Sequence, residues 1–159
     1  MGLEIYTLVH VLISVAAMFA GFGFLAGLLA GRIAPRWTVV FLILTAATSI
    51  TGFFFPFVGF TPAYAFGGLS LALLAVATFG LYSRKLAGGW RKTFVITAIL
   101  SLYLNVFVLI AQFFLRLPAL HALAPTQAEP AFGVTQGILL LIFITLIVAA
   151  VKRLSPSPA

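Results

Sequence analysis

TFVITAILSLYLNVFVLIAQFFLRLPALHALAPTQAEPAFGVTQ, residues 93 to 136, decides the fold. The run from Thr93 to Leu115 is apolar and longer than the roughly 20 residues that a helix rising about 1.5 Å per residue needs to cross a hydrocarbon core. After it comes a connection punctuated by Pro118, Pro125 and Pro130, and near Phe132 a second apolar run begins. Most of the unusual polar residues lie between Asn105 and Gln136: Asn105, Gln112, Arg116, His121, Gln127, Glu129 and Gln136. Charged residues are only 7% of the chain, so this concentration marks where a site would form.

The composition extends that reading to the whole chain. Hydrophobic residues make up 64%, there are 17 Phe residues, and the mean hydropathy is +1.26. A 159-residue soluble domain cannot hide so much apolar surface inside itself, so the solvent is a bilayer. The expected fold is all-α: one domain over residues 1–159, an integral membrane bundle of five transmembrane helices. The spans fall at about 5–30, 37–57, 62–82, 93–115 and 132–151, with an outer connection over 116–131. No cysteine is present, which excludes disulfides, thiolate metal sites and thiol nucleophiles.

The first span has no basic residue before it and carries Glu4, unlike a cleavable signal peptide. Its second half places Gly23, Gly27 and Gly31 behind Ala20 at four-residue spacing, a smooth strip suited to close helix packing, either within the chain or between copies. In the second span Thr45, Thr48, Ser49 and Gly52 share one helical face, which should look inward. Pro56 should end that helix, and Thr61 with Pro62 reads as a cap and first-turn proline for the next.

Charge sets the expected orientation. The net charge is +7, and eight of the nine Lys and Arg lie in alternate connections: Arg32 and Arg36; Arg84, Lys85, Arg91 and Lys92; Lys152 and Arg153. By the positive-inside rule that side is cytoplasmic, which puts the N-terminus outside and the C-terminus in the cytoplasm. These short basic turns suit lipid headgroups, not nucleic acid. Arg116, Glu4, Glu129 and both histidines fall toward the outer side.

On the fourth span Thr97, Ser101, Asn105, Gln112 and Arg116 form one polar stripe at about 100° per residue. An amide at the depth of Asn105 must point into the bundle to keep its hydrogen bonds. Gln112 lies at about the depth of His10, Thr51 and Gln136, so helices packed around one axis would gather these four beneath Arg116, a clamp or lid for an anion. Such residues serve either as hydrogen-bond glue between helices or as the lining of a ligand pocket, and the sequence leaves both open. In the connection, PALHALA should form a short interfacial helix with Leu117, Leu120 and Ala124 on one face, followed by a proline-stiffened segment bearing Gln127 and Glu129. That segment suits a lid, a docking surface or a rigid connector.

The runs TSITGFFFPF, GFTPA, YLNVFVLIAQFF and LHALAPTQAEPAF, with Gln136 beyond, resemble a family of small, uncharacterised multi-pass inner-membrane proteins of bacteria. The likeness covers most of the chain, the APTQAEP segment is its most specific part, and it implies the bacterial cytoplasmic membrane. A more distant similarity is to haem-carrying four-helix membrane proteins, which place paired histidines within their helices, whereas only His10 lies inside a span here. A second axial ligand would have to be His121, and a metal set of His10, His121 and Glu129 has no diagnostic spacing.

Enzyme signatures are sparse. The sequence has no Gly-rich phosphate loop and no HExxH, and its two acids are both glutamates at the outer edge. Ser14, one turn from His10, lacks a third orienting group. Five spans do not divide into the inverted repeats of many coupled transporters. The function expected is that of a non-enzymatic membrane protein binding a lipid, quinone or partner subunit at an outer-leaflet polar pocket. The alternatives are a haem-binding or proton-handling redox protein using His10, and a channel or carrier formed as a homo-oligomer.

Overall fold

The computed structural model describes residues 2–56 and 62–154, and among the described residues there is helix but no strand. The helices are α1 (Gly2–Leu29), α2 (Pro35–Gly52), α3 (Pro62–Thr78), α4 (Trp90–Arg116), α5 (Pro118–Leu123) and α6 (Pro130–Leu154), with a π-helical turn, Phe79–Ser83, prolonging α3. Four stretches are long and apolar enough to cross a membrane: Gly2–Leu29, Tyr64–Ser83, Trp90–Arg116 and Pro130–Leu154. The 18-residue α2 is less apolar because it opens on Pro35 and Arg36 and carries hydroxyls at Thr38, Thr45, Thr48, Ser49 and Thr51.

The five long helices close a ring in the order α1, α2, α3, α4, α6, and α4 also crosses it to touch α1 and α2. The surface pattern is that of a protein whose solvent is apolar. Phe19, Phe54 and Leu141 are among the most exposed side chains, while Thr38, Thr45, Ser49, Ser70, Ser101 and Gln136 are buried. Lipid tails are as apolar as leucine, so burial of hydrocarbon does not drive this assembly as it would in water; close packing and interhelical hydrogen bonds do. In the core, Phe24 of α1 stacks on Phe41 of α2 at 5.2 Å between ring centres and meets Phe94 of α4 in a T-shaped contact at 5.9 Å.

α1 ends where Gly31 adopts φ +75°, and Arg32 N–H donates to Gly27 O while Gly31 N–H donates to Leu28 O. This left-handed cap reverses the chain in five residues, and Pro35, with φ already suited to a helix, starts α2. The reversal fills the glycine strip from within. A Cβ on Gly23 would come within 2.5 Å of the Trp37 ring, and one on Gly27 within 3.1 Å of Ala34 Cβ. Gly23 and Gly27 of the strip expected to serve packing within the chain or between copies are thus covered by Trp37 of α2 and by the α1–α2 turn of the same chain.

The helix expected as the second span stops at Gly52, short of the expected 57. Continuing the helix to Pro56 would push the proline ring against the carbonyl of residue 52 and leave that carbonyl without its donor. Instead Phe53 and Phe54 turn on hydrogen bonds to Ile50 O and Thr51 O. Phe57 and the link through Thr61, including the expected Thr61 cap, lie outside the described residues.

At the other end of α3, Arg84 N–H donates to Phe79 O, and Lys85 and Leu86 take positive φ values of 47° and 58°. Two successive left-handed residues that are not glycine are costly, and packing holds them: Trp90 lies edge-on to Phe79 and against Gly80, with the Arg84 guanidinium 5.6 Å from its ring centre.

These contacts define two unlike ends. Arg91 donates to Leu154 O at 3.3 Å, and the Arg153 carbonyl lies 3.4 Å from where a Gly31 Cβ would stand, so the α1–α2 turn, the α3–α4 turn and the end of α6 meet at one basic end. Tyr6, His10, Thr51, Phe55 and Tyr64 meet at the opposite end through hydrogen bonds and ring contacts.

Candidate functional site

The polar end holds two separate constructions. The first is the seam between α1 and α2. Tyr6 and His10 stand one helical turn apart on α1 and so share a face. Both reach Thr51 near the end of α2: Tyr6 Oη donates to the Thr51 carbonyl, and His10 Nδ1 lies 2.8 Å from Thr51 Oγ1. The Thr51 carbonyl is among the last of α2; it accepts from Phe54 N–H at 3.1 Å, and Tyr6 adds a second donor from a neighbouring helix.

The direction of the His10 bond follows from the one hydroxyl proton of Thr51. That proton goes to Ala47 O at 2.8 Å, with Thr48 O at 3.1 Å. Thr51 Oγ1 is therefore the acceptor and His10 Nδ1–H the donor, which fixes the tautomer and leaves the Nε2 lone pair available. Among the described residues no hydrogen bond reaches Nε2. Phe55 stands edge-on to both aromatic neighbours, 5.1 Å from the His10 ring centre and 5.0 Å from that of Tyr6. Gly52 keeps the floor open, since even a Cβ there would sit 3.8 Å from His10 Cε1. The product is a half-buried imidazole at the α1–α2 seam, with the Phe55 ring edge-on beside it and the Tyr6 phenol one turn away.

The second construction lies along α4, α6 and the connection between them. Gln136 is buried, and its Nε2 donates to Phe107 O of α4 at 3.1 Å while Oε1 has no partner among the described residues. Gln127 takes φ +60° and donates through Nε2 to Ala111 O at 2.7 Å, pinning the connection onto α4. Ala124 is fully buried beneath it, and Leu120 is partly buried, whereas Leu117 is exposed. Glu129 closes a tight loop by accepting from the Thr126 backbone N–H at 3.2 Å and from its hydroxyl at 2.8 Å. Desolvation pushes the Glu129 carboxyl up, but these donors and the backbone N–H groups around it outweigh that and hold it below the ordinary value.

The residues expected to form one cluster are divided between these constructions. His10 and Thr51 do meet. Gln136 serves the α4–α6 contact, and Gln112 accepts from Arg116 Nε at 3.1 Å on its own helix, so Arg116 is tied to α4 and lies exposed. Asn105 points inward as its depth requires and donates to Thr45 Oγ1 of α2 at 3.3 Å. His121 is exposed on α5, which packs against α4, while His10 is bound into the α1–α2 seam. The two imidazoles thus stand on different walls, an arrangement that does not fit a pair of axial haem ligands. Among the described residues no three of His, Cys, Asp and Glu gather to hold a metal ion, so His10, His121 and Glu129 do not form one.

Tyr6 and Phe55 are the site residues that sequence reading passes over. The signal for Tyr6 was present, since it precedes His10 by four residues and therefore shares its face. Compared with protein-family models, curated proteins and solved structures, the chain matches none.

Proposed function

We propose that this protein is a non-enzymatic integral membrane protein that holds the polar head of a bilayer amphiphile, a lipid or a quinone, in the notch between α1 and α2. The observation carrying this reading is the Nε2 lone pair of His10 beside Phe55, which no hydrogen bond reaches among the described residues, with Nδ1–H fixed by Thr51. A head group with an O–H or N–H donor completes the imidazole, a donor that a hydroxylated or amino lipid or the reduced, quinol form of a quinone supplies, and its hydrocarbon lies along the apolar outer faces of α1, where Leu12 and Phe19 are exposed. A partner subunit presenting such a donor satisfies the same geometry.

In this reading α2 is a fifth span. It runs beside α1 from the Trp37–Gly23 contact to the Thr51–His10 bond, the full distance between the two ends of the bundle. The basic end is cytoplasmic and the notch belongs to the outer leaflet, with the N-terminus outside and the C-terminus inside, because the cations cluster at one end. The membrane is the bacterial cytoplasmic membrane, on the resemblance of the APTQAEP segment.

A proton-handling role for His10 is the second reading: Nε2 can take up a proton while Nδ1–H is held by Thr51, whose own proton ends at the Ala47 carbonyl. Thr51→Val separates the readings. It removes the acceptor that fixes the tautomer while keeping the shape, so a bound amphiphile weakens but is still retained; a redox or proton-transfer activity assayed in proteoliposomes would instead be lost. Because the sequence has no cysteine, single cysteines at Ala87 and Ala128 report orientation directly. Labelling of intact cells by an impermeant maleimide at Ala128 and not at Ala87 is the expected result, and the reverse would overturn the orientation.

A further inference from the structure

At the basic end, α4 begins with Trp90, Arg91 and Lys92, and no side chain caps its start. Two cations in the first turn stand at the positive end of the helix dipole, where an anion is favoured and a cation is not. The two acidic side chains of the sequence, Glu4 and Glu129, belong to the other end, so no acidic side chain among the described residues balances them. Beside them a groove of about 140 Å³ opens between the α3–α4 turn, the start of α4 and the end of α6. Its rim is Gly88, Arg91 and Lys92; its floor is Leu86, Val95, Val151 and Leu154. Arg91 spends one donor on Leu154 O, which positions the guanidinium at the groove mouth, and no hydrogen bond from its other N–H groups is made among the described residues.

From this pairing of a cationic rim with an apolar floor, we infer that the groove is a site for an acidic phospholipid. The phosphate sits between Arg91 and Lys92, and the first part of an acyl chain runs between α4 and α6 over Val95 and Val151. A soluble phosphate would use the rim and leave the floor bare; a neutral lipid would use the floor and leave two cations at the wrong end of a helix. Only an anionic amphiphile answers both. The site lies at the opposite end from the His10 notch and is independent of it.

The test uses the intact protein in nanodiscs of phosphatidylcholine with phosphatidylglycerol added stepwise, counting retained acidic lipid by native mass spectrometry. Removing Arg91 and Lys92 together (Arg91→Ala, Lys92→Ala) should lower retention by about fivefold for each cation lost. Arg36→Ala, outside the groove, should leave it unchanged. Val151→Trp keeps every charge, fills the floor and should also abolish retention, so a loss in both groove variants with normal helix content is the expected outcome. Equal loss in Arg36→Ala would overturn the site in favour of diffuse attraction. Unaltered retention in Val151→Trp, or full displacement of the lipid by water-soluble glycerol phosphate, would overturn the part played by the apolar floor and with it the lipid.

Discussion

Replacing Gly21 with valine should unfold this bundle more readily than the same change at any lipid-facing glycine. A Cβ at Gly21 would lie 2.5 Å from Leu102 Cδ1 and 3.0 Å from Phe41 Cδ2, against the roughly 3.5–4.0 Å at which carbon atoms attract. Leu102 and Phe41 are both fully buried in the α1–α2–α4 crossing, so neither can swing away without displacing another core residue. Overpacking of this kind costs about 1–3 kcal/mol, and valine's two further methyls place it at the upper end. Valine recovers about 0.4 kcal/mol because glycine is the poorer helix former. The net destabilisation is then about 2 kcal/mol, roughly a thirtyfold change in the folded-to-unfolded ratio. Gly137 is the control, since an added Cβ there meets nothing within 4 Å. Gly137→Val should shift stability by no more than about 0.5 kcal/mol. The assay is reversible unfolding in mixed micelles with increasing dodecyl sulfate, followed by circular dichroism. Equal midpoints for the two variants would refute the crossing of α1 over α2 and α4.

Gln127→Ala should release the connection between α4 and α6 at a cost of about 1 kcal/mol, read as faster amide hydrogen exchange over residues 117–129 with α1 and α2 unaffected. The same loop should respond to acid. Because the folded state holds Glu129 below its ordinary value of 4.5, its contribution is complete above that value and is lost as pH falls through the depressed one; Glu129→Gln should remove this dependence from the exchange rates. Asn105→Ala and Thr45→Ala should each destabilise the bundle, and a double-mutant cycle should return a coupling of about 0.6 kcal/mol, the usual worth of an interhelical hydrogen bond in lipid.

Helix positions and inward faces were legible in the sequence because a bilayer enforces them. Every backbone polar group must be satisfied within a span, so apolar runs become helices, and an amide such as Asn105 has nowhere to point but inward. The pairing of His10 with Thr51 was legible in depth, and so was the burial of Thr45 and Ser49. The order of helices around the ring was not. A helical wheel gives each residue an angle and a depth but not a neighbour, which is why Gln112 and Gln136 were expected beside His10 and instead serve Arg116 and Phe107 O. The early end of α2 could have been read from Pro56, whose ring acts four residues upstream at Gly52. The fate of the glycine strip depended on the α1–α2 turn: once Gly31 caps α1 and Pro35 restarts the chain, Trp37 and Ala34 are brought onto Gly23 and Gly27. Gln127 was marked by its setting among prolines, yet its bond to Ala111 O joins residues 16 apart and follows no periodic rule.

The proposed function requires an amphiphile as the partner of the His10 Nε2 lone pair. Native mass spectrometry of the protein released from nanodiscs made with its native lipids tests this most directly, run on the unaltered chain and on His10→Ala. The account predicts a retained amphiphile with a hydroxyl or amino head on the unaltered chain, and its absence from the variant while overall helix content is kept. Equal retention by both proteins, or a bare protein in both, would contradict it.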